Sequence, residues 1–522
     1  MRIPSIPFKI LVLAPFRGRN ADVWREGPVR VDKMSLDEAI EGMGLSLSLN
    51  LPKTLCPPGE LTLNFSKIKD FHPDGLIKSS PFLRNLLEAR KFIEEAGAQG
   101  LSREEVCSRL AEWPNLPSID MNMEVKRSQA SPSSAIDDII KMVALPGEEE
   151  VSSAKAQPLL AQIDLIFRQI MREIFSQARF SELESVWSGL RFLMRSGGIN
   201  GEVKLEIVPV RRDTLKETLG NLLTKIALDP PDLFIFDLPF DNTPFSLELL
   251  EEIGQFSETL LAPSVCWIDY NFLHLDNWED LNRLPYLPHY LEEQAFAKWR
   301  RLKEIGPGRW IAVTCNRFLL RYPYGLDNRP SLVDFEEDQE LWGSPVWAFG
   351  CLVGQSVVQT GWPTRFTDWQ RVRIEGLPLY QAAANKLLST ETSFSEDRIE
   401  QFVRGGIIPL VSPYNKDLAF TPYETTVAGT PLNYQLLVTR ISRLLFWCKD
   451  NFEEDVEPAE LEKDLKRAFS LFWENTGHPA PENLEISVQR PDPDQPAMVR
   501  LEFEPSRQIL SPAETVELKF YW

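Results

Sequence analysis

The sequence predicts a mixed α/β protein built from layers of sheet and helix, and three observations carry that prediction. Phe8–Ala14 is a nearly continuous apolar run closed by Pro15, the pattern of a buried strand. Strand-like runs at Lys204–Val210, Leu233–Asp237, Ser264–Ile268 and Arg309–Thr314 alternate with helix-like stretches at Thr214–Ile226 and Leu247–Leu260, as in a layered α/β domain. The chain has 522 residues, 43% of them hydrophobic and 25% charged, the composition of a globular protein too long for one ordinary core.

The remaining elements follow in chain order. Ser35 caps a short helix that opens with Asp37 and Glu38. Leu61, Leu63 and Phe65 alternate with polar residues, giving a half-buried strand. A helix after Asp74 uses Phe82, Leu83, Leu86, Leu87 and Phe92 as its apolar face. A short helix is expected at Arg103–Trp113, capped by Ser102 with Glu105 three residues on, followed by a polar linker across Lys126–Pro132. Ser134–Leu145 reads as a compact amphipathic helix with Ile136, Ile139, Ile140 and Val143 on one face; Pro146 and an acidic stretch close it. One long helix carries Ile163, Phe167, Ile170 and Ile174, and a second carries Phe180, Leu183, Trp187 and Leu190. Tyr434–Cys448 and Pro458–Trp473 read as helices, and Leu484–Gln489, Met498–Phe503 and Glu514–Tyr521 as three strands. The last strand offers an edge for pairing with another chain.

Charge narrows the function classes. There are 56 basic and 76 acidic residues, a net charge of −20, so nucleic acid would be repelled. The densest basic spots, Arg211-Arg212 and Lys298–Lys303, are short and sit among acidic neighbours. No apolar run reaches the roughly 18–20 residues of a membrane helix, and the first residues lack a signal-peptide pattern. The expected location is therefore the cytoplasm, without membrane insertion. Six cysteines stand far apart without a C-x-x-C pair and read as buried free thiols.

A search for chemistry finds little. His72, His274, His289 and His478 form no metal-ligand pattern and read as surface or turn residues, and no phosphate-binding glycine loop or nucleophile elbow is present. Carboxylate groups such as Asp334 with Glu336, Glu337 and Asp338 read as a solvated or intersubunit face rather than a hydrolytic pair. No catalytic, cofactor or metal site is expected. Trp187, Trp299, Trp342, Trp347, Trp362 and Trp369 read mostly as core, in a chain whose fourteen tryptophans also suit protein–protein contact.

Several long motifs resemble one family. Phe180–Leu193 (FSELESVWSGLRFL) resembles a signature of the large contractile-sheath subunit of type VI secretion systems, called TssC or VipB. Phe296–Arg300, Asn316–Gly325, Phe335–Glu337, Leu341–Gly343, Gly405–Leu410 and Leu436–Lys449 are similar to further motifs of that subunit, in order. The first 95 residues resemble the small sheath subunit, TssB or VipA, through Pro7–Leu13, Val29–Asp32, Leu61–Asp74 and Leu83–Arg90. The chain therefore looks like a fusion of both subunits. The long helix that closes the small subunit has no counterpart beyond Arg103–Trp113.

The resemblance implies a contractile-sheath protomer fold with interlacing terminal strands. It divides the chain into a TssB-like part (1–95), a linker with a short helix (96–133), an amphipathic helix with an acidic linker (134–156) and a TssC-like part (157–522) whose final strands span about 484–521. It implies strand exchange between protomers through Glu514, Thr515, Val516, Glu517, Leu518, Lys519, Phe520 and Tyr521, and an arm near Leu116–Val125. It identifies Ile136, Ile139, Ile140 and Val143 with the helix captured by a ClpV-like AAA+ ATPase. Expected partners are further copies of the chain in a helical homopolymer, an Hcp-like inner tube protein and baseplate proteins. A sheath of another phage-tail-like injection device, or a cytoplasmic hydrolase with an unrecognised acidic site, are the competing readings.

Overall fold

The computed structural model describes residues 6–18, 22–99, 101, 103–110, 112–113, 116–117, 153–382, 385–453, 457–490, 496–511 and 515–522. The strands used below are β1 (Phe8–Ala14), β2 (Val29–Val31), β3 (Leu45–Asn50), β4 (Glu60–Phe65), β5 (Val203–Pro209), β6 (Leu233–Phe240), β7 (Ser264–Ile268) and β8 (Ile311–Cys315). The chain divides into two compact units, one of residues 1–39, 183–322 and 341–522, the other of residues 40–182 and 323–340. Each unit draws on both the TssB-like and the TssC-like part of the sequence.

The first unit is organised by a seven-stranded sheet in which Ile407–Pro409, β8, β7, β6, β1, β5 and β2 lie side by side. All neighbours run parallel except β2, which pairs antiparallel with β5. Strand β1 lies in the middle, in register with β5 from Phe8↔Val203 to Ala14↔Pro209 and with β6 from Ile10↔Leu233 to Leu13↔Phe236. All seven of its residues are buried, as a strand covered on both faces requires. On one face Leu11, Leu13, Phe234 and Phe236 join Leu219 and Leu222 of the helix Leu215–Ile226 and Leu250 and Ile253 of the helix Pro244–Leu260. Against Ile235 packs the helix Pro345–Thr360 at Gly350, where a Cβ would come within 2.6 Å of the Ile235 side chain.

Buried charge fixes the start of β1. The Asp232 carboxylate, fully buried, accepts from the Lys9 backbone N–H at 2.7 Å and from Arg440 at 3.3 Å, and it pairs with Arg443. Those two arginines also donate to the carbonyls of Ile6 (2.9 Å) and Pro7 (3.0 Å), and Arg443 and Lys9 both hold Asp229. The helix Leu432–Asn451 therefore grips the segment leading into β1 through both charge and backbone.

A second buried carboxylate stands where the order of strands reverses. Asp237 follows Phe236, the last β6 residue paired with β1, at a bulge between Ile235 and Pro239. It accepts the indole N–H groups of Trp267 (3.1 Å) and Trp347 (2.9 Å). Beside it, Trp187 donates to the Phe16 carbonyl at 3.0 Å. Asp237 lies within β6 and Trp267 within β7, and Trp347 reaches the carboxylate from the helix Pro345–Thr360. Burial pushes the Asp237 carboxyl up to about 6, against the pull of Trp347 and Trp267.

The second unit contains the antiparallel hairpin β3–β4, paired from Leu45↔Phe65 to Asn50↔Glu60. The sequence predicts the second of these strands, and Leu45, Leu47 and Leu49 alternate as cleanly in the first. Phe65 stacks on Phe71 at 4.3 Å, and Phe180 packs at 6.3 and 6.2 Å from the two. The stretch Asp70–Asp74 is a sequence of local anchors. Asp70 accepts from the N–H groups of Ser66 and Lys67, and His72 caps the short helix Pro73–Ser79 by accepting from Asp74. The Asp74 carboxylate in turn holds the N–H groups of Ser331 and Leu332 at 3.0 and 2.9 Å. The helix Pro81–Gln99 buries Leu83, Leu86, Ala89 and Ile93, with Phe82, Leu87 and Phe92 half-buried, and is tied to the helix Ser153–Ser176 by Arg90–Asp164 at 2.6 Å. Among the described residues, no helix is long and apolar enough to cross a membrane, and Cys56, Cys266, Cys315, Cys351 and Cys448 are buried free thiols.

Two predictions follow from the buried carboxylates. Asp232→Ala leaves two buried guanidinium groups without their shared partner and should lower stability by about 3–5 kcal/mol in denaturant unfolding. Asp237 has a folded-state value raised from 3.8 to about 6, so it contributes stability below pH 3.8 that is lost as pH rises through 6. Relative to Asp237→Asn, the unmodified chain should lose about 2.4 kcal/mol between pH 4 and pH 7, read as the difference between the two pH–stability curves.

Candidate functional site

The sequence motifs meet each other in space. Glu184, 3% exposed, takes Arg321 in a two-pronged ion pair at 2.8 and 3.1 Å. The Ser185 hydroxyl donates to the Trp342 carbonyl at 2.6 Å, and Trp299 donates to the Gly405 carbonyl at 3.2 Å. The side-chain amide of Asn316 donates to the carbonyls of Leu410 (2.7 Å) and Thr392 (2.9 Å). Gly189 is required by close approach: a Cβ there would lie 2.4 Å from the Trp347 indole nitrogen that serves Asp237. These polar side chains satisfy buried backbone or buried charge, which is the work of locks rather than of reacting groups. The basic spots are likewise neutralised by neighbours, Arg211 by Asp213, Arg212 by Asp241, Lys298 by Glu248 and Arg301 by Glu251. Trp187, Trp299, Trp347 and Trp362 are fully buried, Trp342 is half-buried and Trp369 is exposed.

His72 and His274 cap short helices, His289 lies within the short helix Leu287–Tyr290, and His478 sits just after the helix Pro458–Asn475. His274 sits in the left-handed region at φ 56°, and the His478 ring contacts the Thr360 carbonyl at 2.8 Å.

Among the described residues, the final strand is one of those with an open edge. Beyond the two-stranded pieces β9 (Phe318–Arg321) with β10 (Leu341–Gly343), β11 (Ile374–Glu375) with β15 (Leu418–Ala419) and β12 (Tyr380–Gln381) with β13 (Leu387–Leu388), and the sheet-edge strand β14 (Ile407–Pro409), come β16 (Glu485–Gln489), β17 (Met498–Phe503) and β18 (Val516–Tyr521). These three form their own antiparallel sheet in that order, with β17 central. Its inner face is apolar: Ile486, Val499, Leu501, Phe503 and Val516 pack on Leu465, Phe469, Phe472 and Trp473 of the helix Pro458–Asn475, with Trp473 and Phe503 edge-to-face at 5.4 Å.

On the outer face, like charges stand directly opposite one another, Arg500 against Lys519 and Glu502 against Glu517. The ion pairs therefore run diagonally and along the strands: Arg500–Glu517 at 3.1 Å, Arg500–Glu502 and Lys519–Glu517 at 3.0 Å. The Glu517 carboxyl is held below its ordinary value by Lys519 and Arg500. These exposed pairs tune the face and add little stability.

The register decides which backbone groups of β18 are free. The Trp522 N–H bonds the Ala497 carbonyl at 2.8 Å, continuing the β17–β18 pairing by one residue. Alternate residues of an antiparallel pair exchange hydrogen bonds, so Leu518 and Phe520 bond inward to β17 while Glu517, Lys519 and Tyr521 direct N–H and C=O outward. The Tyr521 carbonyl is reached by Lys449 at 3.4 Å. Beside this edge, Trp447, Phe452, Phe520 and Trp522 form a loose aromatic chain with ring separations of 5.9–6.5 Å. The sequence does not single out Trp447, Phe452 or Trp522, because Trp447 and Phe452 stand more than sixty residues before β18 and meet it only in the fold.

The expected strand-exchange residues are thus placed as follows. Val516 is buried, Leu518 and Phe520 are half-buried, and Glu517, Lys519 and Tyr521 are exposed; Thr515 precedes the strand, and Glu514 lies outside the described residues. The expected ATPase-recognition residues Ile136, Ile139, Ile140 and Val143 also lie outside the described residues, as does the expected arm apart from Leu116 and Pro117.

The outward and inward positions make different predictions. Leu518→Pro removes a ladder N–H and should lower the stability of the small sheet by about 1–3 kcal/mol. Lys519→Pro removes an outward N–H and should leave thermal unfolding nearly unchanged, because proline is tolerated on the free side of an edge strand.

Comparison with known proteins follows the two parts of the chain. A family model described as VipB, EvpB/VC_A0108, tail sheath N-terminal domain, matches residues 157–234 and 225–426. A second, described as Type VI secretion system, VipA, VC_A0107 or Hcp2, matches residues 3–112. A curated relative, the type VI secretion system sheath protein TssC1 of Pseudomonas aeruginosa, is 24% identical over 313 residues, covering 54% of this chain. The match spans 61% of that relative's length. Among solved structures, the helical sheath of the anti-feeding prophage in its contracted state aligns with a TM-score of 0.37 and 12% identity, over 64% of this chain and 80% of that one. A sheath tail protein from Desulfitobacterium hafniense aligns with a TM-score of 0.32 and 7% identity, over 59% of this chain and 60% of that one.

Proposed function

We propose a structural role from one premise: the chain belongs to the VipB tail-sheath family and carries a VipA-type segment ahead of the VipB region in the same polypeptide. It is read as the protomer of a type VI secretion sheath, which polymerises into a helical tube around an inner tube and contracts to propel it. The observation that carries this reading is the outer edge of β18, a strand anchored on its own small core and presenting, among the described residues, unpaired backbone groups at Glu517 and Lys519. A strand from a second copy added there would gain several backbone hydrogen bonds, and a link that repeats without closing builds a helical filament.

Strand addition also suits movement. Backbone links hold neighbours together while the larger body changes its packing, and the two packings need differ by only a few kcal/mol per protomer. Joining the two parts in one chain fixes their ratio and raises their effective concentration. Assembly would proceed in the cytoplasm on a baseplate and around an Hcp-like tube, with a ClpV-like ATPase recycling contracted sheaths through the helix expected from the sequence at Ser134–Leu145. The division of the chain at residues 95, 133 and 156 belongs to the same reading. No catalytic step is assigned, since the buried Asp237 carboxylate is held inside the sheet by two indole N–H groups.

The test is assembly. With the inner tube protein supplied, negative-stain microscopy should show ribbed tubes for the unmodified chain. Lys519→Pro, and deletion of residues 514–522, should give folded subunits without tubes. Normal tubes from Lys519→Pro would refute strand exchange at this edge.

A further inference from the structure

One cleft lies apart from the sheet edge, within the first unit. It measures about 830 Å³ and is bordered by the helix Pro345–Thr360, the turn after the helix Pro458–Asn475 and the segment around Arg507. Its charged lining consists of Arg365, Arg371, Arg440, Arg507 and His478 against two carboxylates, Asp368 and Glu202. In a chain with twenty more acidic than basic residues, that is a local reversal of sign.

The arginines differ in how far they are committed. Arg365 pairs with Asp368 at 3.2 Å and donates to the Arg507 carbonyl at 3.3 Å, which sets the two guanidinium-bearing segments beside each other. Arg371 and Arg507 are exposed and form no ion pair among the described residues. Arg440 is 4% exposed and paired with Asp232, its guanidinium lies 5.6 Å from the Phe472 ring, and among the described residues its Nε has no hydrogen-bond partner. A buried donor left unpaired calls for an acceptor.

We propose that this cleft binds a multivalent phosphate-type anion. Guanidinium groups present planar pairs of N–H donors that match the oxygens of phosphate, and a set of them recognises several linked phosphate groups better than one. The volume lies within the range of small-molecule sites and exceeds what a single inorganic ion fills. The cleft shares no residue with β18, so the proposal stands independently of strand exchange.

The test is titration of the full-length unassembled chain with sodium tripolyphosphate by calorimetry, at ionic strength matched with sodium sulfate to remove general screening. One molecule should bind per chain, and the double variant Arg371→Gln with Arg507→Gln should bind at least tenfold more weakly. Both side chains are exposed, so the variant keeps its fold, checked by near-ultraviolet circular dichroism. Heat no greater than that of the sulfate control, or equal affinity in the variant, would overturn the proposal.

Discussion

The placement of β1 between β5 and β6 constrains the rest of the first unit. A strand in the middle of a parallel sheet has no exposed edge or face, so its residues must be apolar or, like Lys9, paired in place, and its entry must be fixed. Asp232, Arg440 and Arg443 provide that fixing, with the lysine of β1 itself on the same pair of aspartates. The VipA-type segment is therefore not a bead attached to the VipB-type part. Removing it would split the sheet and expose both β5 and β6 along their length.

The same economy appears in the motifs. Residues that resemble family signatures at Glu184, Ser185, Asn316 and Trp299 hold Arg321, Trp342, Leu410 and Gly405, each partner lying in another signature. Strong sequence patterns in an enzyme converge on reacting atoms. Here they converge on backbone carbonyls and buried charge, where loss of one partner leaves the other unsatisfied.

Rigidity and openness are kept in different places. The main sheet holds Asp237 between the indoles of Trp267 and Trp347, whereas, among the described residues, β18 has an open outer edge and its sheet packs one apolar face on the helix Pro458–Asn475. Inward-bonded and outward-bonded residues alternate along β18.

Element types were legible in the sequence because helix and strand periodicities arise from neighbours two to four residues apart. Phe8–Ala14, Leu215–Ile226 and Met498–Phe503 follow directly from such patterns, and the final strand was recognised as an edge candidate. The β3 strand and the Pro73–Ser79 helix were equally local and were passed over. Neither the pairing of Phe8 with Val203 nor the meeting of Asp237 with Trp347 could be read this way, since the partners are separated by more than a hundred residues. Which residues of β18 point outward depends on its register with β17, and the arginine-lined cleft gathers segments from opposite ends of the chain. The sequence alone determined local conformation and kinship; tertiary structure decided strand order, burial of charge and the free edge, because those depend on contacts that only the folded chain creates.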